Sequence, residues 1–271
     1  MTESIVSSHL RKPRKAIALE QISGVRIRDS KIAREVTQFI RDSESDLLFH
    51  HSVRVYFWGA LTGNRMGLTF DPELLYTAAM FHDVGLTARY ENSQLRFEVD
   101  GANAARDFLR GHGISESDIE TVWNAVALHT TPGIPEFMCP EIALVQAGAG
   151  MDVTGRGYDQ FTDAQHEAAI AAFPRETDFK HGIIDAFYQG MKHRPDSTFG
   201  TFNDDVLALK DPDFRRNRYV QHHPCFKLEE LNQRSLLPRP ATTAPIGSSA
   251  SLWRYGADIV PNFIVLGPPV W

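Results

Sequence analysis

Residues 45–67, SDLLFHHSVRVYFWGALTGNRMG, carry apolar side chains around nearly the whole circumference of a helix of that length. A surface helix keeps one polar face, whereas a helix that is apolar all round has to be enclosed by other elements. The segment therefore predicts a central helix that starts at a Ser45 cap and runs out at glycines, wrapped by the rest of the chain. Its surroundings read as more helices. SKIAREVTQFIRD sets Ile32, Val36, Phe39 and Ile40 on one stripe behind a Ser30 cap. DPELLYTAAMFHDVGL opens on Asp71 with Pro72 at the first helical position, and is expected to stop near Gly85. FEVDGANAARDFLRGHG, SESDIETVWNAVALHT, TDAQHEAAIAAFP, DFKHGIIDAFYQGMKH and NDDVLALK continue the set. PEIALVQAGAGMDV could be strand by composition, but its length and alanine content favour helix. Nothing alternates with period two over a useful length, so the fold class is all-α, a helical bundle.

Three stretches follow from the texture: an N-terminal arm over 1–29, a helical domain over 30–210 and an extended C-terminal arm over 211–271. The last is rich in Pro, Ser and Thr yet holds Trp253, Tyr255, Phe263 and Trp271, more large apolar groups than a disordered tail carries. It is expected to pack over its own domain or over a neighbouring subunit, which makes a homo-oligomer the expectation. A net charge of −6 argues against a nucleic-acid surface, and the short RKPRK run at 11–15 reads as a solvated arm. No apolar run approaches the roughly 18 residues of a membrane span. The opening MTESIVSSHLRKPRK lacks the apolar core of a signal peptide. Cys139 and Cys225 stand far apart with no CxxC partner, which fits a reducing compartment and a cytoplasmic location.

The informative residues are polar ones stranded in apolar helices: His50, His51, His82, Asp83, His129 and Asp152. Singly, each has an ordinary structural explanation, since a buried histidine is more often a hydrogen-bonded core residue than a ligand. Together they say more. A short turn folds the helix carrying His82 and Asp83 back against the one carrying His51, so these residues can meet, and Asp152 ends a later apolar helix. Arg54 shares the His51 face and could hold a carboxylate. Two imidazoles and two carboxylates converging in a bundle core suit zinc, iron, manganese or nickel, with positions left open for water.

The pattern His…His-Asp…Asp resembles the signature of the HD-domain superfamily of helical metalloenzymes. The blocks HHSVRVYFWG, AAMFHDVGLT, FEVDGANAARDFL, ALHTTPGIP, AGAGMDVTG and STFGTFNDDVL, in that order over about 45–210, resemble the cyanamide hydratase branch. The resemblance implies an HD helical bundle with one divalent metal per chain, zinc preferred, held by His51, His82, Asp83 and Asp152. It aligns His51, not His50, with the HS-x-R-V block. It places His129 and Glu98 near the substrate, with candidate roles in proton transfer or substrate orientation. Thr130 and Thr131 could bond a small polar substrate, but capping or turn formation before Pro132 explains them better. The tail beyond about 211 resembles nothing in the family.

The implied reaction is hydration of a small nitrile-type molecule, with cyanamide going to urea as the reference. The metal acidifies its water to hydroxide, Asp83 acts as base while ligating, and His129 or Glu98 protonates the nitrogen. Tyr56, Phe57, Trp58 and Phe81 either line a small dry pocket or simply pack the core. The rival is phosphohydrolysis of a nucleotide or phosphomonoester, which wants converging cations; the blocks show only Arg54, Arg89, Arg96 and Arg106. A dinuclear variant would recruit His112 and His129, although His112 between two glycines reads better as a helix C-cap. A non-catalytic helical binding module would hold no metal tightly.

Overall fold

A computed structural model of the chain describes residues 21–217. The RKPRK run, Cys225 and all but the first residues of the expected C-terminal arm lie outside the described residues. The chain divides into two compact units, Met1–Arg218 and Tyr219–Trp271, and every described residue belongs to the first. Among the described residues there are nine α-helices, and none is long and apolar enough to cross a membrane. The all-α expectation holds.

One small feature departs from it. Strands β1 (Gln21–Ile22) and β2 (Val25–Arg26) form an antiparallel hairpin inside the expected arm, turned by Ser23 and Gly24, both at positive φ. Two-residue strands are too short to show a period-two pattern, but the hairpin delivers Ile22, Val25 and Ile27 to the core.

Helix α1 (Lys31–Ser43) starts where Ser30 Oγ accepts the Ala33 N–H, and it buries Ala33, Val36 and Ile40. Helix α2 (Asp46–Arg65) is capped by Ser45 and is buried almost continuously from Leu48 to Leu61, which is the central helix that the apolar circumference requires. Helix α3 (Pro72–Phe81) is capped by Asp71, whose Oδ1 accepts the N–H groups of Glu73 and Leu74. It ends earlier than expected, at Phe81. Asp83 leaves helical geometry at φ −108°, ψ 1°, and a 3₁₀ turn, Val84–Leu86, follows. Gly85 is required there: a methyl group on it would stand 2.0 Å from the Phe97 carbonyl oxygen. Helix α4 (Phe97–Gly111) thus sits directly on the turn after His82 and Asp83.

Helices α5 (Glu116–Leu128) and α6 (Pro140–Thr154) complete the wrap around α2 and α3. The α2–α6 crossing is close because glycines face backbone: a methyl at Gly148 would lie 2.2 Å from the Val55 carbonyl oxygen. That approach brings the His51 end of α2 against Asp152 near the end of α6. Helix α7 (Asp163–Ala172) carries the Thr162–Gln165 capping box. Helices α8 (Phe179–Met191) and α9 (Asn203–Lys210) cover a second, smaller core that includes Leu48, Leu86, Phe97 and Phe187. Tyr56, Phe57, Trp58 and Phe81 are core residues.

Candidate metal centre

His51 projects from the second turn of α2, and His82 and Asp83 stand at the end of α3. The helical hairpin brings the two imidazoles together, with His51 Nε2 and His82 Nε2 3.1 Å apart. His82 Nδ1–H donates to the Ala79 carbonyl at 2.6 Å, and His51 Nδ1–H donates to Asp152 Oδ2 at 2.7 Å. With both Nδ1 protons committed, the neutral rings point two lone pairs at each other. Asp83 Oδ2 adds a third donor, 3.2 Å from His82 Nε2 and 3.5 Å from His51 Nε2. All three residues are buried, and their ligand atoms lie within 4.8 Å of one another.

Such a cluster needs a positive charge at its centre. Neither Asp83 oxygen has a hydrogen-bond partner, and His129 Nε2 has none either, although all three atoms are fully buried. An orphaned buried carboxylate costs several kcal/mol unless a cation compensates it. Two imidazole nitrogens and a carboxylate oxygen are the donor set that zinc and neighbouring transition metals take, so the residues present fit a divalent ion. Their electrostatics agree. Burial opposes charge on Asp83, but His82, His129 and His51 around it outweigh burial and hold its carboxyl far below the usual range. Burial likewise disfavours charge on His82, yet Asp83 beside it raises the pKa overall. On His51 burial wins and lowers the pKa, against the pull of Asp152.

Asp152, the fourth ligand implied by the sequence resemblance, stands on the other nitrogen of His51. Its Oδ1 accepts from Arg54 Nε at 2.8 Å and Trp58 Nε1 at 3.1 Å. Its Oδ2 accepts from Arg54 Nη2 at 2.8 Å as well as from His51. Burial raises the Asp152 pKa, but the bonds from His51 and Arg54 more than offset it and keep the group ionised. Arg54, wholly buried, spends Nη1 on the Phe173 and Pro174 carbonyls. The anticipated Arg54–carboxylate pair is therefore present, on the same carboxylate that the resemblance implies as a ligand.

His129 caps α5 with Nδ1–H on the Val126 carbonyl, 2.7 Å away, and turns Nε2 to within 3.6 Å of Asp83 Oδ1. Glu98 is not on the cavity. It sits behind Arg96, accepting from Arg96 Nη2 at 2.9 Å, from Thr130 Oγ1 and from Asn203 Nδ2 at 3.2 Å. Burial works against its charge, but Arg96 lowers the pKa on balance. Glu98 thus holds neighbours in place. His50 packs against Phe49 and Phe173, and His112 caps α4 through the Phe108 carbonyl and pairs with Glu35, apart from the cluster.

The cluster forms the floor of a cavity of about 560 Å³. Its walls include Arg96, Thr130, Thr131, Gln146, Arg156, Phe187, Thr201 and Phe202, so its aromatics are not those of α2. Sequence reasoning missed Gln146, although a lone amide inside the apolar α6 carries the same stranded-polar signal as the histidines and aspartates of the cluster. Phe187, Thr201 and Phe202 had no signal, because tertiary packing of α8 and the α9 approach brings them in. Glu44, at the C-terminus of α1, was also missed. It is buried with Oε1 unpartnered and Oε2 accepting from Ser52 Oγ at 3.3 Å, and burial, reinforced by the Asp83 charge, pushes its pKa well above the carboxylate range.

The protein-family model described as HD domain matches residues 48–171, a span that includes His51, His82, Asp83, His129 and Asp152. Over that span the chain is similar to the HD domain, consistent with the HD-domain superfamily. HD domains are typically metal-dependent hydrolases, phosphohydrolases among them. No curated protein matches the chain.

Proposed function

We propose that this HD-domain protein is a metal-dependent hydratase that adds water to a small nitrile-type substrate, with cyanamide to urea as the reference reaction. The ion is held by His51, His82 and Asp83, zinc being the preferred metal. When bound it supplies Lewis acidity, lowering the pKa of a water toward neutrality. The observation that carries the reading is the pair of orphaned atoms, Asp83 Oδ1 and His129 Nε2, 3.6 Å apart at the cavity floor.

Hydration has no leaving group. It needs one group to take a proton from water and another to deliver a proton to nitrogen. Asp83 Oδ1 has no hydrogen-bond partner and faces His129, so it can orient the water and relay its proton toward that ring. His129 has Nδ1–H committed to Val126, so Nε2 is free to receive that proton and pass it on as the imidazolium. Asp152 and Arg54 keep the His51 ring turned so that Nε2 faces the cluster, and Glu98 fixes Arg96 and Thr130 on the wall. Phosphohydrolysis is the second reading, favoured by the two guanidinium groups, Arg96 and Arg156, on the cavity. Zinc-loaded protein given cyanamide should form urea, while nucleotides and phosphomonoesters should release no phosphate. Phosphate release without urea formation would overturn the hydratase assignment.

A further inference from the structure

A cavity of about 560 Å³ is the size of sites that enclose whole organic ligands, far larger than a bare nitrile needs. The rest of the substrate must match the walls, and their charge is lopsided. Among the described residues Asp83 is the only carboxylate on the lining, and it is committed to the histidine cluster, whereas Arg96 and Arg156 both line the cavity. A bound divalent ion would make the cavity more positive still.

The two guanidiniums are prepared differently. Arg96 is clamped: Nε and Nη2 engage Glu98, which Thr130 and Asn203 hold from behind, and Nη1 has no partner among the described residues. Arg156 follows the left-handed Gly155 at the end of α6, and its stem lies back over Gly150, with Cδ 3.7 Å from where a methyl there would be. Its guanidinium makes no hydrogen bond or ion pair among the described residues. A guanidinium offers five donors in a planar fork that matches the oxygens of a carboxylate or phosphate. On the same lining, Phe187 and Phe202 pack edge to face at 5.6 Å and offer an apolar surface to a short carbon chain.

Resting on the hydratase reading for the reacting carbon, we propose that the substrate carries an acidic oxyanion group, carboxylate or phosphate, at its far end, held by Arg156 with Arg96. The anion is a handle and is not the reacting group. Positive charge on the walls raises the local concentration of such molecules and orients the nitrile end toward the floor.

The test is calorimetric binding to the zinc-loaded protein of ω-cyanoalkanoates of increasing chain length, their uncharged primary amides, and the matching ω-cyanoalkylphosphonates. At the best chain length one of the two anions should bind about tenfold or more tightly than the amide, which is the scale of charge-assisted bonding; the stronger anion identifies the oxyanion. Arg156→Gln should bring that ratio close to one and Arg156→Lys should keep part of it. Arg156 is exposed and unpaired among the described residues, so neither change threatens folding. Equal binding of anion and amide at every length overturns the proposal. So does an anion preference that Arg156→Gln leaves undiminished, because Arg156 then plays no part in holding the anion. Binding needs no turnover, so absence of amide product from these nitriles would count against the hydratase reading alone.

Discussion

Asp83 and Asp152 flank His51 on its two nitrogens, both buried and both ionised, and their surroundings are opposite. Asp152 has all its donors supplied by the protein: Arg54 twice, Trp58 and His51. Asp83 has no hydrogen bond at either oxygen and faces imidazole nitrogens instead. Glu44 adds a third case, a buried carboxyl with one hydroxyl partner, whose pKa burial and the Asp83 charge push upward. A buried carboxylate can thus be neutralised by a guanidinium, left for an ion, or kept uncharged. On the proposed reading, the acid that the metal uses is the one the protein leaves without hydrogen bonds.

Four changes probe this contrast, taken from the largest expected effect downward. Arg54→Met strips Asp152 of its guanidinium and leaves the charge buried, so it should cost about 3–5 kcal/mol in denaturant unfolding, the scale for breaking a buried ion pair. A loss under about 1 kcal/mol would show that Asp152 does not depend on the clamp. His129→Ala should abolish most turnover while retaining the metal in elemental analysis, because His129 faces Asp83 without belonging to the three-donor set; metal loss would make it a ligand.

Glu44→Gln should act through pH. The folded pKa of Glu44 lies above its unfolded value near 4.5. Its contribution is therefore fully present below that value and lost as pH rises through the folded pKa. Thermal midpoints of variant and parent should coincide at about pH 4 and separate in favour of the variant toward about pH 8. A constant gap across that range would contradict a protonated Glu44. Trp58→Phe removes one of four donors to Asp152 while keeping most of the ring's packing, and should cost about 1 kcal/mol.

Much of this was legible from residues alone. Ser30, Ser45 and Asp71 all cap the helices that follow them, because short polar side chains bond the first free amides wherever they occur. The meeting of His51 with His82 and Asp83 followed from a helical hairpin, and the Arg54–carboxylate contact from helix spacing. What spacing could not reveal was which nitrogen of His51 would face Asp152. That depends on how α2 and α6 rotate against each other at Gly59 and Gly148, a tertiary matter. The early end of α3 was hidden for a similar reason, since Gly85 answers to the Phe97 carbonyl on another helix. The cavity walls from Phe187 to Phe202 lie beyond the HD match and form only when α8 and α9 pack.

The most direct test compares zinc affinity in Asp83→Asn and Asp152→Asn, titrated on folded protein at low temperature. If the ion is held by His51, His82 and Asp83, Asp83→Asn should abolish stoichiometric binding. Asp152→Asn should still bind one zinc per chain, weakened about 10- to 100-fold as for loss of a group that orients a ligand. Loss of zinc from Asp152→Asn as complete as from Asp83→Asn would make Asp152 a ligand and contradict the account.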